Sequence, residues 1–183
     1  KLNLKGLLLQ NLYNIRLEQC KYEDALKLCD EREAILKKTG DKFEMSILND
    51  NRGDVYFHKK EYKKAVTIYQ NNIKFAESIG NVEMVGHGYG NLANCYAETG
   101  DLKKSIEYYG KQIEYSKKHN DIHSEGKALY NLAYTYFEDV KDIRSAEETA
   151  LKAEKIFTKI GYKHGLDSVK DLLKRIEEFK AES

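Results

Sequence analysis

Apolar positions recur three and four residues apart along most of the chain, as in Tyr62, Ala65, Val66, Tyr69 and Ile73, with Lys, Glu and Asp between them. This is the pattern of a helix that buries one face and solvates the other. No stretch alternates apolar and polar residues long enough to predict a strand, and the chain contains no proline to break a helix. The pattern predicts an all-α protein.

The breaks in the pattern are periodic. Thr39-Gly40-Asp41, Ile79-Gly80-Asn81, His119-Asn120-Asp121 and Ile160-Gly161-Tyr162 follow one another at spacings of 40, 40 and 41 residues. Gly or Asn takes the left-handed conformation that ends a helix, and the Asp or Asn beside it caps the next; Asp41 with Glu44 has the spacing of a capping box. A second break falls midway through each period, at Lys60-Glu61, Thr99-Gly100-Asp101 and Val140-Lys141. Each period therefore reads as two helices and two turns, giving repeats over residues 1–40, 41–80, 81–120 and 121–161 of a single domain spanning 1–183.

Side chains repeat with the turns. Asn11, Asn51, Asn91 and Asn131 share one position; Tyr56, Tyr96 and Tyr136 share another. Ala25, Ala65, Ser105 and Ala146 share a third, small enough for two helices to approach closely; its last spacing requires one inserted residue within 139–142. After Gly161, Leu166, Val169, Leu172, Leu173 and Ile176 form one stripe among charged residues, which predicts a capping helix over 162–183 that covers the last exposed core.

The third repeat, GYGNLANCYAETGDLKKSIEYYGKQIEY, and the fourth, with ALYNLAYTYFEDV, resemble the tetratricopeptide-repeat family. Its pattern falls on Tyr89, Leu92, Ala93, Tyr96, Ser105 and Tyr109, and in the second repeat on Gly53, Tyr56, Ala65 and Tyr69. The period is 40 where the family's common length is shorter, and the usual proline near the repeat end is missing; in both respects the chain resembles the Pins/LGN adaptors and the Rap and NprR-type peptide-binding regulators. The resemblance covers about residues 1–161. It implies a right-handed α-α superhelix, a solenoid of four helix pairs, whose first helices line a concave groove that binds a protein or peptide segment.

On that basis the groove residues are Asn11, Asn14, Asp50, Asn51, Asp54, His87, Asn91, Asn94, Lys127, Tyr130, Asn131 and Tyr134, with Gln10 and Gly90 at the intervening positions. Asn offers two donors and an acceptor, enough to satisfy the backbone of an extended peptide. The competing reading is that the recurrent Asn bonds the adjacent helix. Asp50 and Asp54 favour a basic ligand near the second repeat, whereas Tyr130, Tyr134 and Phe137 would accept an apolar side chain near the fourth. A clamp for a terminal carboxylate is not expected, because His87 and Asn91 stand where Lys and Arg are needed and the two Asp residues would repel it.

Composition narrows the partners. Thirty-one basic against thirty acidic side chains give a net charge of +1, too little field to attract nucleic acid. The longest aliphatic run, Leu7 to Leu9, is far short of a membrane span. Cys20, Cys29 and Cys95 are odd in number and lack metal-ligand spacing, so buried thiols in the cytoplasm are expected. His119 and His123 are separated by a turn, and no phosphate loop, nucleophile elbow or HExxH occurs. No catalytic residue, metal or cofactor is expected. The chain reads as a peptide-binding adaptor or scaffold; the alternative is the sensory or regulatory domain of a larger signalling regulator or enzyme. Leu2, Leu4, Leu7, Leu8 and Leu9 add the expectation that the first helix self-associates.

Overall fold

The computed structural model describes residues 2–182; Lys1 and Ser183, at the ends of the first repeat and the closing helix, lie outside it, as do the side chains of Asn3 and of Leu2 in the leucine stripe. The described residues form α1 (Leu2–Glu18), α2 (Tyr22–Thr39), α3 (Lys42–His58), α4 (Tyr62–Ser78), α5 (Val82–Glu98), α6 (Leu102–Lys118), α7 (Ile122–Thr135), α8 (Ile143–Ile160) and α9 (Lys163–Glu182). No strand occurs among the described residues.

The turns carry the period in their backbone. Left-handed residues stand at Cys20, Gly40, Lys60, Gly80, Gly100, Asn120, Lys141 and Gly161, about every twentieth position. Behind most of them an Asp or Asn caps the next helix, its side chain accepting the amide three residues on: Asp41 from Glu44 at 3.0 Å, Asn81 from Met84 at 3.2 Å, Asp101 from Lys104 at 3.3 Å, Asp121 from Ser124 at 3.0 Å and Asp142 from Ser145 at 3.0 Å. Each cap satisfies an amide that has no partner within its own helix. Asp41 and Glu44 make only half of a capping box, because the Glu44 carboxylate is drawn instead to Arg32.

The inserted residue is absorbed by a π-helical turn, Tyr136–Val140. The carbonyls of Tyr56 and Tyr96 accept from the amides of Glu61 and Asp101, five residues on, whereas Tyr136 accepts from Asp142, six residues on. A turn closed over one more residue takes up the insertion without shifting the helix that follows.

The chain divides into two compact units, Lys1–Gly88 and Tyr89–Ser183. The core of the first contains Tyr13, Ala25, Cys29, Leu36, Leu48 and Val55. The second is built around Tyr109, Leu132, Phe157, Val169, Leu172 and Ile176, so α9 buries the stripe the sequence predicts while Leu166 and Leu173 pack at its margin. Ala25, Ala65, Ser105 and Ala146 are all fully buried.

Paired helices trade volume at one aligned position. Tyr13 of α1 goes with the small Cys29 of α2, whereas Gly53 of α3 admits the fully buried Tyr69 of α4. A Cβ on Gly53 would stand 2.3 Å from the Tyr69 ring. Ala93 goes with Tyr109, and Ala133 with Ala150, in the second unit. In the first three pairs one helix is large where the other is small, as close packing demands; the fourth sets two small residues against each other.

One expectation about burial is corrected. Cys20 is exposed, not buried, because it occupies the left-handed turn position between α1 and α2, where the chain is at the surface; Cys29 and Cys95 are buried. The leucines of α1 split: Leu9 enters the core, while Leu4, Leu7 and Leu8 are 73, 60 and 57% exposed.

Candidate functional site

In the first unit the candidate residues lie on α1, α3 and the start of α5. Asn51 donates to Gln10 Oε1 at 2.8 Å, and Gln10 in turn donates to Asn14 Oδ1 at 3.1 Å. The Tyr13 hydroxyl donates to the Asn51 carbonyl at 2.7 Å. Asn51 thus spends part of its side chain on the neighbouring repeat, as the competing reading of the recurrent Asn has it; Asn11, one turn before Ile15 on α1, is exposed.

Asp50 is buried, 8% exposed, and Asp54 is half-buried, one turn further along α3. Asp54 Oδ1 accepts from the Tyr69 hydroxyl at 2.7 Å. Burial pushes the Asp54 carboxyl above its usual range, opposed by the Tyr69 hydrogen bond and by the charges of His58 and His87. No Lys or Arg forms an ion pair with Asp54 among the described residues. In the second unit the aligned residue is Asn94, which accepts from the Tyr109 hydroxyl in the same way. A neutral amide therefore does the same structural work, and the charge on Asp54 is additional to it.

In the second unit, α5 supplies Asn91 and Asn94, and α7 supplies Lys127, Tyr130, Asn131 and Tyr134. Lys127 and Tyr134 are exposed; Asn91, Tyr130 and Asn131 are half-buried. Burial raises the Tyr130 hydroxyl above its ordinary range, with Tyr134 and Asp171 adding to the rise and Arg175 opposing it. Phe137 does not join this surface: it is buried in the core, 6.1 Å from the Phe179 ring, with Arg175 5.4 Å over its face. It follows Tyr136 into the π turn, which directs it inward.

Sequence reasoning missed one recurrent polar position on the second helices. Arg32, Asn72 and Gln112 are all buried there, with Ala153 completing the series. Asn72 donates to the Ser46 carbonyl at 2.9 Å; Gln112 fills the space left by Gly90, where a Cβ would lie 2.8 Å from its Oε1; Arg32 bonds Gln10 and Glu44. The signal was available as a polar residue repeating every 40 positions within an otherwise apolar stripe. Burial pushes the Cys29 thiol up to about 11, which keeps it protonated and inert. No group of three or more His, Cys, Asp or Glu side chains among the described residues could hold a metal ion, and no described helix is long and apolar enough to cross a membrane.

Residues 43–118 match the family model of the tetratricopeptide repeat. No curated protein matches the chain in sequence. Among solved structures, the chain is similar to a signal-transduction ATPase with numerous domains from Pyrococcus horikoshii that has a tetratricopeptide-repeat sensor, at 20% identity and a TM-score of 0.73, covering 92% of this chain and 26% of that one. It is similar to the apo form of RapI at 16% identity and a TM-score of 0.78, covering 100% of this chain and 50% of that one. A Rap protein complexed with competence and sporulation factor matches at 15% identity and a TM-score of 0.60, covering 99% and 53%. The chain thus spans about a quarter to a half of the length of these proteins, and shares with them an all-α helical-repeat fold.

Proposed function

The chain carries tetratricopeptide repeats and has their fold, and from that premise we propose that it is a protein-binding module, an adaptor or scaffold that holds a basic segment of another protein. Each unit by itself offers a first-helix face to a ligand: Asn11, Asn14, Asp50, Asn51, Asp54 and His87 in the first, and Asn91, Asn94, Lys127, Tyr130, Asn131 and Tyr134 in the second.

The observation that carries this reading is Asp54. Its carboxylate is kept partly out of water without a Lys or Arg, at a position where Asn94 shows that an uncharged amide suffices. An incoming guanidinium or ammonium would supply the missing countercharge and recover the cost of desolvation. The exposed Tyr134, 43% accessible, offers an aromatic contact of the kind enriched at binding surfaces. The buried thiols Cys29 and Cys95 accord with a reducing, cytoplasmic setting. The similar Rap protein complexed with competence and sporulation factor lends the fold a precedent for holding a factor.

The second reading, a sensory or regulatory domain within a larger regulator, is favoured by the Pyrococcus horikoshii protein, of which the chain covers 26% and which has a tetratricopeptide-repeat sensor. Both readings require a bound partner. Pull-down with the chain, compared with an Asn51→Ala, Asn91→Ala, Asn131→Ala triple variant of unchanged helicity, tests the surface. The partner should be lost from the variant; equal capture by both proteins would remove the first-helix faces from consideration.

A further inference from the structure

A cavity of about 490 Å³ opens in the first unit between α1, α2 and α3, within the ~300–1,000 Å³ range of small-ligand sites. Its walls are the apolar side chains of Leu7, Ile35, Leu36 and Ile47. Gly6 stands at its edge, and a Cβ added there would meet nothing within 4 Å.

The opening is not forced by the fold. Gly126 and Phe157 of the second unit occupy the repeat positions of Gly6 and Leu36, and there the Phe157 ring lies 2.6 Å from where a Gly126 Cβ would be. One aromatic side chain closes that corner. In the first unit the shorter Leu36 leaves it empty and exposes part of an apolar wall that the same framework elsewhere covers.

The polar groups define what fits. Arg32, 6% exposed, is neutralised by Glu44 and held by Gln10. Asp41 and Glu44 then leave one net negative charge at the mouth. Asp54 lies ten residues beyond Glu44 on the same helix, about 15 Å away at ~1.5 Å per residue. An extended chain covers that distance in roughly four to five residues.

We infer that this cavity takes a bulky apolar side chain of the bound segment, with a Lys or Arg beside it paired to the acidic mouth and a second basic residue four to five positions away at Asp54. The inference rests on the proposed peptide-binding role of the first-helix face and specifies the segment that face selects.

Selection of random dodecapeptides on the full chain tests it. The wild type should enrich Leu, Ile, Met or Phe next to Lys or Arg. Gly6→Leu and Leu36→Phe each fill the cavity, the second as Phe157 does. Thermal unfolding of both confirms the fold, and Gly6→Leu should not lower the midpoint. Both should weaken the selected peptides at least about tenfold, as loss of a buried anchor does, and repeated selection should keep the basic residues while losing the apolar one. Enriched peptides that bind both filled variants unchanged would overturn the cavity assignment alone, whereas acidic ones would overturn the basic-segment reading together with it. Failure of the wild type to enrich any peptide would overturn the binding role and the cavity with it.

Discussion

Two glycines on first helices make opposite demands on the same substitution. At Gly53 a new Cβ would lie 2.3 Å from Tyr69 Cε1 and 2.7 Å from Cδ1 and Cζ, and Tyr69 is 1% exposed with its hydroxyl tied to Asp54. The ring has nowhere to go. Overpacking of this kind costs about 1–3 kcal/mol, against which alanine's better helix propensity returns about 1 kcal/mol. Gly53→Ala should therefore destabilise by up to about 2 kcal/mol. At Gly86 a Cβ would meet nothing within 4 Å, so only the gain remains, and Gly86→Ala should stabilise by about 0.5–1 kcal/mol. For a chain of this size each kcal/mol moves the midpoint by about 2–4 °C. The two variants should therefore straddle the wild type when unfolding is followed by circular dichroism at 222 nm. Gly53→Ala exceeding the wild type would mean that α3 and α4 do not pack through Gly53 as described, and Gly86→Ala falling below it would mean that the space beside Gly86 on α5 is filled.

Other perturbations act on single named features. Burial raises the folded-state pKa of Asp54 above its unfolded value. The native state therefore holds the proton longer, and this group makes the fold progressively less stable as pH rises from the ordinary carboxylate range through the raised value. Asp54→Asn, which keeps an acceptor for Tyr69 as Asn94 does for Tyr109, should be more stable than wild type at pH 7 and lose that advantage in acid; a pH series of denaturant midpoints measures it, and equal midpoints throughout would contradict the burial argument. Tyr69→Phe should cost about 1–2 kcal/mol at neutral pH by removing the donor to Asp54, read from the same denaturant curves. Lys60 and Lys141 hold φ of 61°, so Lys60→Gly and Lys141→Gly should each raise the midpoint by a stabilisation of up to about 1 kcal/mol.

The fold was legible because the chain repeats its punctuation: Gly40, Gly80, Asn120 and Gly161 mark helix ends by their chemistry, and Asp41, Asn81 and Asp121 mark helix starts. The inserted residue was legible as a count, 41 against 40, but not as a π turn, since an extra residue is taken up equally well by a longer loop. Cys20 hides its turn because its residue type does not signal a left-handed backbone, whereas the Lys60 turn was found only by its alignment with Gly100. The candidate site was readable in type more than in engagement. Periodicity puts Asn51 and Asp54 on the first helix, yet whether an amide faces a ligand or a neighbour depends on partners 15 to 41 residues away, such as Tyr69 and Gln10. Arg32 was passed over because a charge within an apolar stripe reads as surface until its partners Gln10 and Glu44 are known.

The most direct test of the account measures affinity and stability together in Asp54→Asn, using matched Lys-rich and Glu-rich peptides at two ionic strengths. The wild type should prefer the Lys-rich peptide, more strongly at low salt, and Asp54→Asn should bind it more weakly while unfolding at a higher midpoint at pH 7. Unchanged affinity in the variant, or a wild-type preference for the Glu-rich peptide, would contradict the claim that this face holds its acid for a basic partner.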